Sequence, residues 1–311
     1  MALIEIKNVS KTYPHATERA VEDVSLAIGA GEKIGLIGAN GSGKTTLMRL
    51  LMNFVLPDAG GIEINNNADL EAAKNLIGFV PERQEGMENF TPWELLNLSA
   101  QMHGIDPKSA KTKIEELLAF AELSDVADNL VSDFSKGMAQ RVHICIALVH
   151  DPKILLLDEP MSGLDPGGQK DVREILQKLN DITMIYASHH LDEIETFCTR
   201  VVIIHDGHLV RTLSLDEIRQ DIFTLELEES ARAAIAEFED LSPQILRERD
   251  GKIEVQFISN PEELQKVIAV LNSKNVDIKR MRSRSVLEDL YHRYIAETQN
   301  YDQNQHRKKR S

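Results

Sequence analysis

Cysteine is nearly absent from this chain of 311 residues, which carries only Cys145 and Cys198. The two lie far apart within apolar surroundings, an arrangement that excludes a disulfide framework and indicates buried thiols in a reducing compartment. Long apolar runs are lacking too. None approaches the length that spans a bilayer, and "MALIEIKNVSKTYP" has acidic and polar residues where a secretory leader needs a continuous apolar stretch. The chain is therefore not expected to cross a membrane by itself. Positive charge is the third shortage: 35 Lys and Arg stand against 50 Asp and Glu, for a formal net charge of -15 and a pI near 5.2. Wrapping nucleic acid requires clustered cations to neutralise phosphates, so no nucleic-acid partner is expected. The one basic cluster, His306 to Arg310, falls in "QNYDQNQHRKKRS", read as a disordered tail over 299–311. A solvated end and a contact with anionic lipid or RNA both fit it.

What is present is a regular alternation of patterns. "LIEIKNVSKTY" and "RAVEDVSLAIG" alternate apolar and polar residues between turn signals, as short antiparallel strands do, and a continuous apolar strand follows at Lys33 to Ile37. Between about 84 and 150 the pattern is mostly helical, with "TPWELLNLSAQMHG", "AKTKIEELLAFAEL" and "KGMAQRVHICIALVH" as candidates. Strand signals return at "KILLLDEP", "DITMIYASHH" and "RVVIIHDGHLV", separated by helical stretches, which predicts an α/β domain over 1–219 with a mainly parallel sheet. The composition then changes. Over 220–298, "FTLELEE", "ARAAIAEFED", "QILRERD", "KIEVQFIS", "PEELQKVIAVLNSK" and "VDIKRMRSR" read as strand, helix, strand, strand, helix, strand, a small α+β ferredoxin-like domain closed by a helix in "SVLEDLYHRYIAET". That domain shows no metal cluster or ligand motif, so packing or dimer stabilisation stands beside regulation as its role.

Gly38 to Thr45, "GANGSGKT", has the two glycines, Lys and Ser/Thr of a phosphate-binding loop between a strand and a helix. Glycines let backbone amides turn inward around phosphate oxygens, Lys44 supplies positive charge, Thr45 offers a hydroxyl to magnesium, and the helix aims its N-terminus at the anion. "ILLLDEP" supplies a second acidic element: a buried strand whose end presents Asp158 to a metal and Glu159 to the attacking water. Two acids after a core strand also serve as ordinary caps, but here they accompany a phosphate loop. A carboxylate placed to activate water favours hydrolysis over phosphoryl transfer to a substrate.

Together these motifs, in order Tyr13, "GANGSGKT", "GFVPER", "FSKGM", "ILLLDEP", "SGLDP" and "SHH", resemble the nucleotide-binding subunit of ATP-binding cassette (ABC) transporters over roughly residues 2–215. The resemblance implies a P-loop NTPase cassette with an antiparallel β subdomain and a helical insertion. It implies ATP and Mg2+ as cofactors, with Gly38, Asn40, Gly41, Ser42, Gly43, Lys44, Thr45 and Thr46 cradling phosphates, and Thr45, Asp158 and Glu82 around the metal. It further implies Glu159 and His189 in catalysis, with Glu82 at the position usually held by glutamine; a carboxylate there still ligates a hard cation but cannot donate a hydrogen bond. Tyr13 would stack on adenine, although a half-buried tyrosine at a strand end also fits. Ser135 and Gly137 would contact the nucleotide of a second subunit, and Asp165 would lie between the two sites; Lys136 is left open among phosphate, a partner carboxylate and solvent. The Glu82 variant and "SKGM" resemble the branch that exports with separate ABC-2-type permeases. The expected partners are thus a second ATPase subunit, in a homodimer, and transmembrane permease subunits at the cytoplasmic face of the plasma membrane. The competing class is a soluble ABC ATPase of translation or DNA repair, which usually carries two cassettes or a long coiled-coil insertion; neither pattern occurs here.

Overall fold

A computed structural model describes residues 2–14, 16, 18–83 and 85–291. The chain divides into two compact units, Met1–Thr212 and Leu213–Ser311, ahead of the composition change near Arg219.

In the first unit, β1 (Ala2–Lys11), β2 (Val21–Gly29) and β4 (Ala59–Ile64) form an antiparallel sheet in the order β2-β1-β4. A second sheet has the order β5-β6-β7-β3-β8-β9, built from β3 (Lys33–Ile37), β5 (Ile77–Val80), β6 (Ile154–Asp158), β7 (Thr183–Ser188), β8 (Arg200–His205) and β9 (His208–Ser214). Its first five strands run parallel. Every residue of β6 and β7 is buried, as strands covered on both faces require, which explains why "ILLLD" has no polar alternation. The helix α1 (Lys44–Leu51) buries Leu47, Met48, Leu50 and Leu51 in one core cluster with Leu156, Ile185 and the inward face of the antiparallel sheet.

Between α2 (Leu70–Ala73) and β6 lie three longer helices, α3 (Pro92–Met102), α4 (Pro107–Phe120) and α5 (Lys136–Leu148). Each starts at a capping side chain: Thr91 with a reciprocal bond from Glu94, Asp106, and Ser135, whose hydroxyl accepts the Met138 N–H at 3.2 Å. Asp165 caps α6 (Pro166–Gln177) in the same way, accepting the Gly168 N–H at 3.2 Å. The starts of α5 and α6 touch backbone to backbone. A β-carbon on Gly137 would lie 2.9 Å from the Gly168 Cα, closer than packed atoms approach. The helix α7 (Leu191–Phe197) follows β7.

The second unit comprises α8 (Leu215–Ile218), β10 (Asp221–Glu228), α9 (Arg232–Ile235), β11 (Gln244–Arg249), β12 (Lys252–Ser259), α10 (Pro261–Ser273) and β13 (Arg280–Ser285). Its sheet is antiparallel in the order β11-β12-β10-β13. Phe223, Leu225 and Leu227 share a buried face with Ile253, Val255 and Phe257, as period-two alternation demands. The helix expected through "ARAAIAEFED" is shorter than its periodicity suggests. It ends after α9 because Phe238 leaves helical geometry, with φ -124° and ψ 36°, and turns its ring onto Phe257 at 5.8 Å. Val286 to Tyr291 are helical; the rest of the expected closing helix and the basic tail lie outside the described residues.

Gly137→Ala is expected to destabilise the first unit by about 1–3 kcal/mol, since the added methyl meets backbone that cannot yield. Gly167→Ala is the control: its β-carbon would sit 3.6 Å from Asp165 Oδ2, an ordinary contact, and stability should hold or rise. Urea denaturation of the two variants distinguishes them.

Candidate functional site

The parallel strands deliver their C-terminal ends to one edge of the sheet. Beyond β3, the chain turns through Gly38–Gly43 and enters α1 without a side-chain cap or an acid in the first turn. The amides at that helix start are oriented for an anion, and no carboxylate of its own first turn repels one. Gly43 has φ +111°, and a β-carbon there would lie 2.5 Å from the Ala20 carbonyl oxygen, so no other residue fits. Lys44 is buried and donates to the Gly38 and Ala39 carbonyls at 2.7 and 3.3 Å. An open cleft of about 270 Å³ is lined by Asn40, Gly41, Gly43, Lys44, Thr45 and Thr46 of the loop and helix, and by Glu82, Asp158 and Glu159 opposite.

Asp158, at the end of β6, is 1 % exposed, and its Oδ1 has no hydrogen-bond partner among the described residues. Burial raises its pKa, the Thr45 hydroxyl bonded to it opposes that shift, and the Glu159 and Glu82 carboxylates raise it further. A buried carboxylate oxygen without a partner, beside a threonine hydroxyl and under pressure from neighbouring negative charge, suits a hard divalent cation. Glu159 follows with φ +51°, a left-handed backbone that costs energy for a residue other than glycine. Its N–H donates to the Ala187 carbonyl at 2.9 Å, tying it to β7. The side chain is buried between two cationic or donor groups: Lys44 Nζ at 3.5 Å from Oε1, and His189 Nδ1 at 2.9 Å from both oxygens. That contact requires the His189 hydrogen on Nδ1 when the ring is neutral. His190 starts α7 and stacks obliquely against His189, with ring centroids 4.0 Å apart.

Of the residues expected in the site, the structure brings together Asn40, Gly41, Gly43, Lys44, Thr45, Thr46, Glu82, Asp158, Glu159 and His189. Gly38 takes part through its carbonyl, and Ser42 buries an unpartnered Oγ within the loop. Tyr13, Ser135, Gly137 and Asp165 do not line this cleft. Tyr13 is half-buried, and its hydroxyl has no partner among the described residues. Ser135 and Asp165 act within the chain as the helix caps described above.

Sequence reading missed a buried network behind Glu159. Tyr186 donates to Glu193 Oε2 at 2.8 Å, Ser188 donates to the same oxygen at 2.9 Å, and Ser188 Oγ stands 3.4 Å from Glu159 Oε2. The available signal was slight: three hydroxyls in the strand "TMIYAS", of which Tyr186 and Ser188 join the network, and an acid four residues after His189 in "HHLDE".

Comparison with known proteins agrees with this geometry. The ABC transporter family profile matches residues 21–162. An uncharacterized ABC transporter ATP-binding protein of Bacillus subtilis is 31% identical over 240 residues, covering 76% of this chain and 80% of that protein. The bacitracin transport ATP-binding protein of Bacillus licheniformis is 35% identical over 221 residues, covering 69% and 71%. Among solved structures, a dimeric ATP-binding cassette in a post-hydrolysis state with ADP and Pi bound is similar with a TM-score of 0.62 and 28% identity, covering 68% of this chain and 98% of that one. With relatives of at least 31% identity matched over more than two thirds of the chain, the protein belongs to the ATP-binding proteins of ABC transporters.

Proposed function

We propose that the chain hydrolyses ATP as the motor subunit of an exporter, working as a head-to-tail dimer beneath a separate transmembrane permease. The observation that carries the hydrolytic part is the placement of Glu159, which strained backbone directs between Lys44 and His189 at the mouth of the phosphate loop. The α1 amides and Lys44 hold the β- and γ-phosphates, and Lys44 leaves its loop carbonyls to do so. Thr45 and Asp158, with Glu82, would hold Mg2+, which would neutralise phosphate charge when bound. Glu159 accepts the proton of the attacking water, and His189 reaches the γ-phosphate and holds the catalytic geometry. The second copy supplies Ser135, the Gly137 amide and the start of α5, while Asp165 lies between the two sites and Tyr13 stacks on adenine.

Support for a permease partner comes from exposed apolar side chains of the first unit. Phe54 and Leu56 are exposed, Phe54 meets Phe79 edge-on at 6.0 Å, and Phe90, Leu98 and Met102 are exposed in and before α3. Exposed apolar side chains of this kind suit a helix of another subunit. Among the described residues no helix is long and apolar enough to cross a membrane. In this reading the permease supplies the transport path and holds the ATPase at the cytoplasmic face. The export direction draws on the bacitracin transport relative, on a linearmycin resistance ATP-binding protein of Bacillus subtilis that is 32% identical, and on Glu82 with "SKGM". The second unit, over about 220–298, is an accessory ferredoxin-like domain; its antiparallel order β11-β12-β10-β13 supports that name, and stabilising the dimer is its role.

Glu159→Gln is expected to bind ATP, to accumulate as a closed dimer on gel filtration, and to lose turnover by at least about a hundredfold, the scale of a general base; undiminished turnover removes Glu159 from that role. Deleting 220–311 is expected to preserve ATP binding and weaken dimerisation in sedimentation analysis, whereas unchanged dimerisation and turnover leave the second unit only a tethering role. Copurification with ribosomes or DNA, without membrane association when a permease is coexpressed, reverses the transport reading.

A further inference from the structure

The Ser188 hydroxyl has one hydrogen and three close neighbours. It accepts the His190 N–H at 3.0 Å, donates to Glu193 at 2.9 Å, and stands 3.4 Å from Glu159. Only one of the two carboxylates can receive that hydrogen. Both are buried, at 8 % and 5 % exposure for Glu159 and Glu193, so each needs donors, and an unserved carboxylate in such a place is costly. In the structure Glu159 is served by His189 and Lys44, and Ser188 serves Glu193 together with Tyr186. Tyr186 is a steady donor: it is fully buried, and burial and the Glu193 charge push its hydroxyl pKa far up, so it keeps its proton. When a γ-phosphate draws Lys44 and His189 toward its own oxygens, Glu159 loses part of its support at the moment it must be aimed at water. Among the contacts that Glu159 makes, Ser188 is the remaining side-chain donor within reach. Its hydrogen can turn because Tyr186 still satisfies Glu193.

We propose that Ser188 is a positioning residue that works as a two-position donor, with its hydrogen on Glu193 while Lys44 and His189 hold Glu159, and on Glu159 once phosphate takes them. Glu193 and Tyr186 set the balance of the switch. The inference rests on the ATPase reading given above, deepening it by one residue shell, and no bond other than hydrogen bonds changes in the step. Its consequence is that Glu159 is never without an aligned donor during the cycle.

The test is steady-state ATP turnover by the full chain with Mg2+. Ser188→Ala is expected to lower kcat about tenfold or more with the KM for ATP within about twofold, the effect of losing one hydrogen bond to a charged group in the reacting arrangement only. Ser188→Thr restores most of the rate. Tyr186→Phe leaves Glu193 dependent on Ser188, draws the hydrogen away from Glu159 and lowers kcat too. In the Ser188→Ala background Tyr186→Phe adds nothing. Turnover of Ser188→Ala close to that of the unsubstituted protein, or losses from Ser188→Ala and Tyr186→Phe that multiply independently, overturns the switch. Glu159→Gln separates the two levels: if it abolishes turnover while Ser188→Ala leaves turnover unchanged, the switch alone fails, and if the unsubstituted chain has no turnover both fall.

Discussion

The parallel register of β3, β7 and β6 is the constraint on which the site depends. Ile37 pairs with Ser188, and Asp158 pairs with Ala187, so three strands end at one level. The phosphate loop, the acid pair and His189 therefore begin from a common line, with separations set by the strand spacing of about 4.8 Å. A slip of one residue in β6 would exchange which of its side chains face either layer of helices and carry Asp158 away from Thr45. Continuous burial of β6 and β7 makes such a slip costly, so the hydrophobic core and the chemistry are held by the same ladder.

Electrostatics at that edge is unbalanced by design of the chain alone. Glu82, Asp158 and Glu159 line one cleft with the buried Lys44, and the Asp158 oxygen without a partner among the described residues lies there too. Lys44 divides its hydrogens between loop carbonyls and sits near Glu159 without a short bond to it. A ligand that brings both phosphate and a divalent cation answers both needs, because the anion matches the α1 amides and Lys44 while the cation matches the carboxylates. Neither charge alone suits the cleft as well as the pair.

Much of this was legible in the chain because the determinants are local. "GANGSGKT" is continuous, its strand occupies Lys33–Ile37 as its apolar run indicates, and "ILLLD" announces a buried strand by lacking alternation. Helix starts at Thr91, Asp106, Ser135 and Asp165 follow from capping chemistry a few residues long. What escaped was tertiary. Glu193 reads as an ordinary acid in the first turn of a helix, and only the packing of α7 on β7 shows that it is buried against Tyr186 and Ser188. The local periodicity of "ARAAIAEFED" lost to a long-range contact, the Phe238 ring on Phe257. Ser135, Gly137 and Asp165 were read through a resemblance whose geometry includes a second subunit, and the single chain places them at its own helix starts without bringing them to its own cleft.

The backbone contact of Gly137 with Gly168 carries a mechanical meaning. Two helix starts that meet without side chains between them have no cushion to absorb displacement, so α5 and α6 move at that point as one lever. A displacement at Ser135 is therefore passed toward Asp165, and a movement of the "SGLDP" turn is returned to "FSKGM" in the same way. The two helix starts thus form one edge on which a displacement of either is shared by the other.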